Sequence, residues 1–323
     1  MKAKSSRVCV VGAGNWGKNH IRVLNELGIL GGIVDTDASK LNFIRELYKD
    51  VELYTSVKST LASAFDGYVV STPASTHFDI AKLIIENGHH VLVEKPLAMT
   101  VKEAEELRKL ASNNNINLMV GHLLLFHPAI LKIKSLIDER RIGKLQYLYS
   151  HRLNLGTVRT DENILWSFAP HDISIFQFII GGFPQSLICE GGIFLQPDVH
   201  DSTMTILKYP DSIVGHIFVS WLHPFKEHRL VVIGSKGMIS FEDSSEEKAL
   251  YLYDKKIDLV KGSPVVWDGS KEKIKYESKM PLTEQLRYFA DHLNGKTIEI
   301  SNSEHGIEVL RILEMASDSL IKN

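Results

Sequence analysis

The sequence predicts an α/β protein in two parts. An N-terminal, doubly wound parallel sheet comes first, followed by a C-terminal α+β part with a large, mostly antiparallel sheet. Three observations carry this. Residues 1–122 alternate short apolar runs with segments of helical period. A glycine-rich turn follows the first apolar run. Beyond residue 123, strand-like segments succeed one another across short turns. The expected division is 1–122 and 123–323.

In the first part, Val8 to Val11 is a run of strand-forming residues. Gly12, Gly14 and Gly17 then read G-x-G-x-x-G, and Trp16, His20, Val23, Leu24 and Leu27 recur at helical spacing. In this strand–turn–helix setting the first glycine permits the sharp turn and the second lets the backbone approach a pyrophosphate. The third lets helix and strand pack closely, and the helix N-terminus offers N–H donors to phosphate. Gly32 to Asp35 reads as a second strand ending in an acid, near the ~20-residue spacing at which a carboxylate binds ribose hydroxyls. Thr36, Asp37, Ala38 and Ser39 supply no arginine for a 2′-phosphate, which favours NAD over NADP. Asn15, Trp16 and Thr36 are placed with the cofactor on the same grounds.

Helices are expected over 39–48, 56–64, 77–87 and 100–113, and strands over 51–54, 66–71, 90–94 and 116–120. Gly88 suits a helix C-cap. Thr100 with Glu103 is a capping box. Ligands of such a sheet bind beyond the C-terminal strand ends. Those ends are Gly12, Asp35, Ser71-Thr72-Pro73, Glu94-Lys95-Pro96 and Gly121-His122.

In the second part, Pro128 to Arg140 reads as a helix. Strands are expected over 145–153, 186–194, 202–209, 212–221, 230–240, 250–253 and 274–277, with Pro210-Asp211 as a hairpin turn. One helix interrupts them at 172–180, and two close the chain at 283–293 and 303–321. Helices at the end of the chain are placed to return to the first part.

Composition narrows the classes. A hydrophobic content of 44% and a charged content of 24% are those of an ordinary globular protein. A net charge of −2, from 37 basic and 39 acidic residues, gives no general attraction to nucleic acid or anionic membranes. Two cysteines, Cys9 and Cys189, argue against a disulfide framework and fit a reducing, cytoplasmic setting. Met1 to Ser6 is too short and polar for a signal peptide, and no apolar run reaches the ~20 residues that span a bilayer. Histidine-rich stretches such as 223–228 lack zinc-ligand spacing, so no metal is expected.

Four stretches together resemble the Gfo/Idh/MocA family of sugar and cyclitol oxidoreductases: G-A-G-N-W-G at 12–17, S-T-P-x-x-x-H at 71–77, E-K-P at 94–96 and H-D-I at 171–173. Trp16 and the L-W-x-x-x-P-H-D stretch at 165–172 look most like members that oxidise C3 of UDP-N-acetylhexosamines or their uronates. The resemblance implies an NAD-binding Rossmann domain. It also implies that Lys95 and His171 are catalytic and meet across an interdomain cleft. Lys95 would hydrogen-bond the reacting hydroxyl, and Pro96 makes a cis bond before it accessible. His171 is the second proton-handling group. Which of the two is the final base stays open.

Ser71, Thr72, Pro73, His77 and Glu94 are assigned to the cofactor side, and His122, Arg152, Asn154, Trp166, Ser167 and Asp172 to the substrate. Arg152 and Arg159 suit a diphosphate or uronate, or simply a solvated sheet face. Ser167 stands where many members carry an aspartate, Ser174 where inositol-type members carry a second acid, and Leu124-Leu125-Phe126-His127 replaces a segment that often holds an arginine. These departures weaken an inositol reading and leave the dehydrogenase reading intact. The alternatives are an inositol or free-sugar dehydrogenase, or a catalytically silent NAD-binding regulator. Apolar residues at alternate positions of strands such as 213–221 suggest a homodimer or homotetramer formed through the C-terminal sheet.

Overall fold

The structure is a computed structural model that describes residues 6–160 and 162–322. Residues 1–5, most of the segment judged against a signal peptide, lie outside the described residues. The chain forms two compact units. One holds the chain up to residue 126 together with 279–310, and the other holds 127–278 together with the chain from 311 onward.

The first unit contains β1 (Val8–Val11), α1 (Gly17–Glu26), β2 (Leu30–Val34), α2 (Ala38–Leu47), β3 (Glu52–Tyr54), β4 (Gly67–Val70), α3 (His77–Glu86), β5 (His90–Val93), α4 (Val101–Asn113) and β6 (Leu118–Val120). Its six strands are all parallel, in the order β3-β2-β1-β4-β5-β6. The chain winds outward in both directions from the β1–β4 junction, and that reversal opens a crevice at the strand C-termini. Continuous apolar runs mark strands covered on both faces, and Val8, Cys9, Val10, Tyr68, Val69, Val70, Val91, Leu92 and Val93 are each 0% exposed. The capping box at Thr100 and Glu103 is formed, and Gly88 has φ +81° after α3. The helix expected over 56–64 is a single 3₁₀ turn, Val57–Thr60.

In the second unit, α5 (Pro128–Asp138) leads into β7 (Leu145–Leu153) and α6 (Ile164–Ile180). Seven further strands follow: β8 (Ser186–Gly192), β9 (Ser202–Lys208), β10 (Val214–Ser220), β11 (Glu227–Gly234), β12 (Met238–Glu242), β13 (Leu250–Val260) and β14 (Ser263–Ile274). They form one eight-stranded sheet, ordered β14-β13-β12-β11-β7-β10-β9-β8, antiparallel except for β7 beside β10. The helix α6 crosses one face, where a Cβ on Gly215 of β10 would lie 2.8 Å from the Phe176 ring. Alternation puts His216 on the opposite face. There Ile206, His216, Tyr149 and Val231 sit side by side in register on β9, β10, β7 and β11.

Four elements of this unit depart from expectation, one of them by absence: β14 ends at Ile274, so no separate strand occupies the expected 274–277. The helix expected at 172–180 starts at Ile164, because the Asn163 side chain caps it by accepting the Trp166 N–H at 3.1 Å. Burial of Ile164, Leu165, Ala169 and Ile173 holds the helix through Pro170. The strand expected at 230–240 is the β11–β12 hairpin, turning where the Gly234 N–H bonds the Gly237 carbonyl at 2.9 Å. Finally, β13 and β14 form a long hairpin over much of 254–273, turning at Lys261 and Gly262, which both have positive φ. All but one residue of β14 are exposed, its Val265, Val266 and Trp267 included, so no buried–exposed alternation announces it.

The chain closes with α7 (Pro281–Asp291) and α8 (Ser303–Lys322), the latter starting in the first unit and ending in the second. The start of α8 packs on β6: a Cβ on Gly306 would lie 2.5 Å from Val120 Cγ2, and Ser301 Oγ donates to the Val120 carbonyl at 2.7 Å.

Candidate active site

At the β1–β4 junction the glycines divide their tasks. Gly12 has φ +98°, and a Cβ there would come 2.5 Å from the Ser71 carbonyl oxygen. A Cβ on Gly17 would lie 1.9 Å from the Gly12 oxygen. Gly14 has open space where its Cβ would be, which suits the approach of a pyrophosphate. No side chain caps α1 and no acid occupies its first turn, so its N–H groups remain for phosphate. These features fit a dinucleotide.

Asp35, at the end of β2, is 8% exposed. Its Oδ2 accepts the Ala13 N–H at 2.8 Å and its Oδ1 the Asp37 N–H at 2.9 Å. The carboxylate therefore holds the fingerprint turn while retaining lone pairs for ribose. Lys40 Nζ stands 3.6 Å from Asp35 Oδ1. The sequence reading missed this cation, which lies in the first turn of α2. Asn15 and Thr36 are exposed at the turn and after Asp35.

Glu94 engages three groups. Its Oε1 accepts the Trp16 indole N–H at 2.7 Å and lies 2.8 Å from His20 Nε2, while its Oε2 accepts the Lys95 backbone N–H at 3.2 Å. Burial works to raise its pKa, but the His20 bond and charge, and then the Trp16 bond, outweigh burial and lower it. Trp16 keeps 41% exposure despite this anchor. The half-buried Lys95 follows β5 on the same sheet edge, and its bond to Pro96 is cis. His77 is buried, with Nδ1 2.7 Å from the Pro96 carbonyl oxygen and Nε2 2.9 Å from that of Thr72. It thereby clamps the Ser71-Thr72-Pro73 turn to the Glu94-Lys95-Pro96 segment.

His122, after β6, is 2% exposed, with its ring edge-on to His305 at 5.3 Å between centroids. Burial, then His305, then Lys95 lower its pKa well below the ordinary histidine value. No sequence signal links His122 with His305, which arrives from the start of α8.

In the second unit, α6 carries Ser167, His171 and Asp172. Asp172 takes a two-point fork from Arg152, Oδ2 from Nε at 2.7 Å and Oδ1 from Nη2 at 3.2 Å. The pair neutralises itself, with side chains 12% and 4% exposed. His228 Nδ1 lies 3.5 Å from Arg152 Nη1. Burial, followed by Arg152, pushes the His228 pKa down to about 4. Trp166 turns its indole N–H to Ser317 Oγ at 2.8 Å, at the far part of α8. Asn154 is half-buried just past β7, where its N–H bonds the Ser220 carbonyl at 3.1 Å. Arg159 Nε pairs with Glu162 at 3.1 Å. Among the described residues no group of three or more His, Cys, Asp or Glu could hold a metal ion, and no helix is long and apolar enough to cross a membrane.

Comparisons with known proteins agree with this geometry. Residues 6–122 match the oxidoreductase family with NAD-binding Rossmann fold, and residues 130–240 match the Gfo/Idh/MocA C-terminal domain. UDP-N-acetylglucosamine 3-dehydrogenase of Acidithiobacillus ferrooxidans is 24% identical over 265 residues, covering 81% of each chain. Inositol 2-dehydrogenase of Rhizobium meliloti is 24% identical over 250 residues, covering 73% of this chain and 76% of that one. The solved structure of the Acidithiobacillus ferrooxidans enzyme superposes with a TM-score of 0.86 at 22% identity over 97% of both chains, a likeness of fold. A glycine cradle after β1, an acid at the end of β2 and a lysine after β5, on a chain matched in both parts, make this an NAD-binding oxidoreductase of the Gfo/Idh/MocA family.

Proposed function

We propose that this chain oxidises a secondary hydroxyl of a nucleotide sugar, C3 of a UDP-N-acetylhexosamine or its uronate. The observation that carries the reading is the placement of Lys95. Glu94 bonds both the Trp16 indole and the Lys95 N–H, which puts the lysine at the strand edge beside the fingerprint turn. The similarity to UDP-N-acetylglucosamine 3-dehydrogenase supports the substrate class.

NAD, when bound, accepts the hydride; the chain must hold the reactants and handle the proton. Gly12, Gly14, Asn15, Trp16, Gly17, Asp35, Thr36, Ser71, Thr72 and Pro73 hold the dinucleotide, with His77 and Glu94 bracing the turns. Lys95 Nζ takes the hydroxyl proton in its amine form, and His171 is the second proton-handling group. Arg152 and Asp172 act as a mutually neutralising pair that shapes the substrate wall, and Asn154, Trp166 and Ser167 belong to the substrate side of the same reading.

The same reading includes assembly into a homodimer or homotetramer through the sheet face opposite α6. Ile188, Met204 and Ile206 are 52%, 45% and 39% exposed on that face, beside the stacked Tyr149 and His216 rings.

The test is NADH absorbance with NAD and a panel of UDP-sugars, inositols and free hexoses, with an aminotransferase added to remove product. NADH from UDP-sugars alone is expected. NADH from inositol or free hexoses alone would overturn the substrate assignment.

A further inference from the structure

His122 is a buried imidazole with neither ring nitrogen hydrogen-bonded, an exception in a folded interior where unsatisfied polar groups are costly. Its position is set from two sides. The Gly121 N–H bonds the Val93 carbonyl at 2.7 Å, which keeps His122 at the strand end beside the Lys95 segment. On the other side, Asn302 Oδ1 accepts the His305 N–H at 2.9 Å, and the Ser301 and Gly306 contacts press that turn of α8 onto Val120. His305 is half-buried, so the two rings lead from the buried strand end to the surface.

Among the titratable groups, His305 and Lys95 act on His122 directly, and Glu94, whose carboxyl lies against Gly121, is engaged by His20. Held neutral, the imidazole offers one lone pair and one N–H. It can therefore take a proton on one nitrogen while releasing one from the other.

We infer that His122 and His305 form the exit by which the reaction's proton leaves Lys95 for solvent. The inference rests on Lys95 being the base of the proposed dehydrogenase. In the step, the substrate O–H bond breaks and an N–H bond forms at Lys95 Nζ, while the hydride leaves carbon for NAD with its electron pair. A proton of the Lys95 ammonium then passes to one His122 nitrogen, and the N–H on the other gives its proton to His305. From there it passes to water; a ring flip or back-transfer through water resets the His122 tautomer, and Lys95 is again a neutral amine for the next turnover. A centroid separation of 5.3 Å is within the span of one hydrogen bond or one bridging water.

The test uses the full chain with NAD and UDP-N-acetylglucosamine, comparing wild type with His305→Gln and His122→Asn. In His305→Gln the first-turnover burst of NADH should be unchanged while steady-state turnover falls about tenfold, and steady-state turnover should fall likewise in His122→Asn. Added imidazole should restore turnover in His305→Gln. Burst and steady state of His305→Gln falling together without imidazole rescue, or unchanged steady-state turnover in both variants, would overturn the exit.

Wild-type chain that yields no NADH from any substrate of the panel would overturn the functional reading and the exit with it. A second measurement needs no substrate and separates the two. Imidazole NMR of the free protein should show His122 titrating at higher pH in Lys95→Met than in wild type. An unmoved His122 would overturn the exit alone.

Discussion

The indole N–H of Trp16 donates to Glu94 Oε1 at 2.7 Å, so the glycine turn and the strand end that carries Lys95 share one carboxylate. Cofactor turn and candidate base are thus braced by a single buried group. Glu94→Gln keeps the shape and loses the charge. Thermal unfolding should show a loss of about 1–3 kcal/mol, because the Trp16 and His20 partners then compete for a weaker acceptor. Turnover should fall more than NAD affinity, since the Lys95 backbone loses its acceptor; a fall in affinity alone would contradict this.

Lys95→Met should remove turnover by about 10²-fold or more, the scale of general base catalysis. NAD binding, followed by fluorescence titration, should change little. Turnover close to wild type would remove Lys95 from the mechanism.

Asp35→Ala should weaken NAD and narrow its advantage over NADP. The carboxylate that repels a 2′-phosphate is gone, and Lys40, 3.6 Å from it in the intact chain, becomes free to meet the phosphate. Dissociation constants for both cofactors check this, and an unchanged NAD-to-NADP ratio would contradict it.

His228 should make the fold acid-sensitive. The folded chain holds this ring neutral down to about 4, first through burial and then through Arg152. The unfolded chain binds the proton near pH ~6.5, so acid favours unfolding. The contribution is complete above that value and is lost as pH falls from ~6.5 toward about 4, by at most about 3 kcal/mol and less where solvent reaches the half-buried ring. His228→Asn should flatten stability across that window, as read by urea midpoints at a series of pH values.

Ile206→Lys, on the open face of the second sheet, should shift the chain to monomers in sedimentation equilibrium while leaving the circular dichroism spectrum intact. A chain already monomeric at micromolar concentration would remove the assembly reading.

The parallel sheet, its fingerprint turn and Asp35 are legible from residues alone because their signals are local. A strand buried on both faces is a continuous apolar run, as in Val8–Val11, and G-x-G-x-x-G writes its backbone needs into adjacent positions. The long β13–β14 hairpin is not legible, since its outer strand is exposed at all but one position and carries no alternation. The extension of α6 through Pro170 is hidden for a related reason: burial overrides a local helix breaker. Within the site, Lys95 and Asp35 are readable as strand-end residues. Their partners are not, because Trp16 with Glu94, His122 with His305 and Arg152 with Asp172 are separated by many residues. Periodicity reports only neighbours three or four residues apart on a helix, or two apart on a strand. Which distant side chain satisfies a buried carboxylate or lies against a buried imidazole is settled by the packing that brings the strand ends and α8 together.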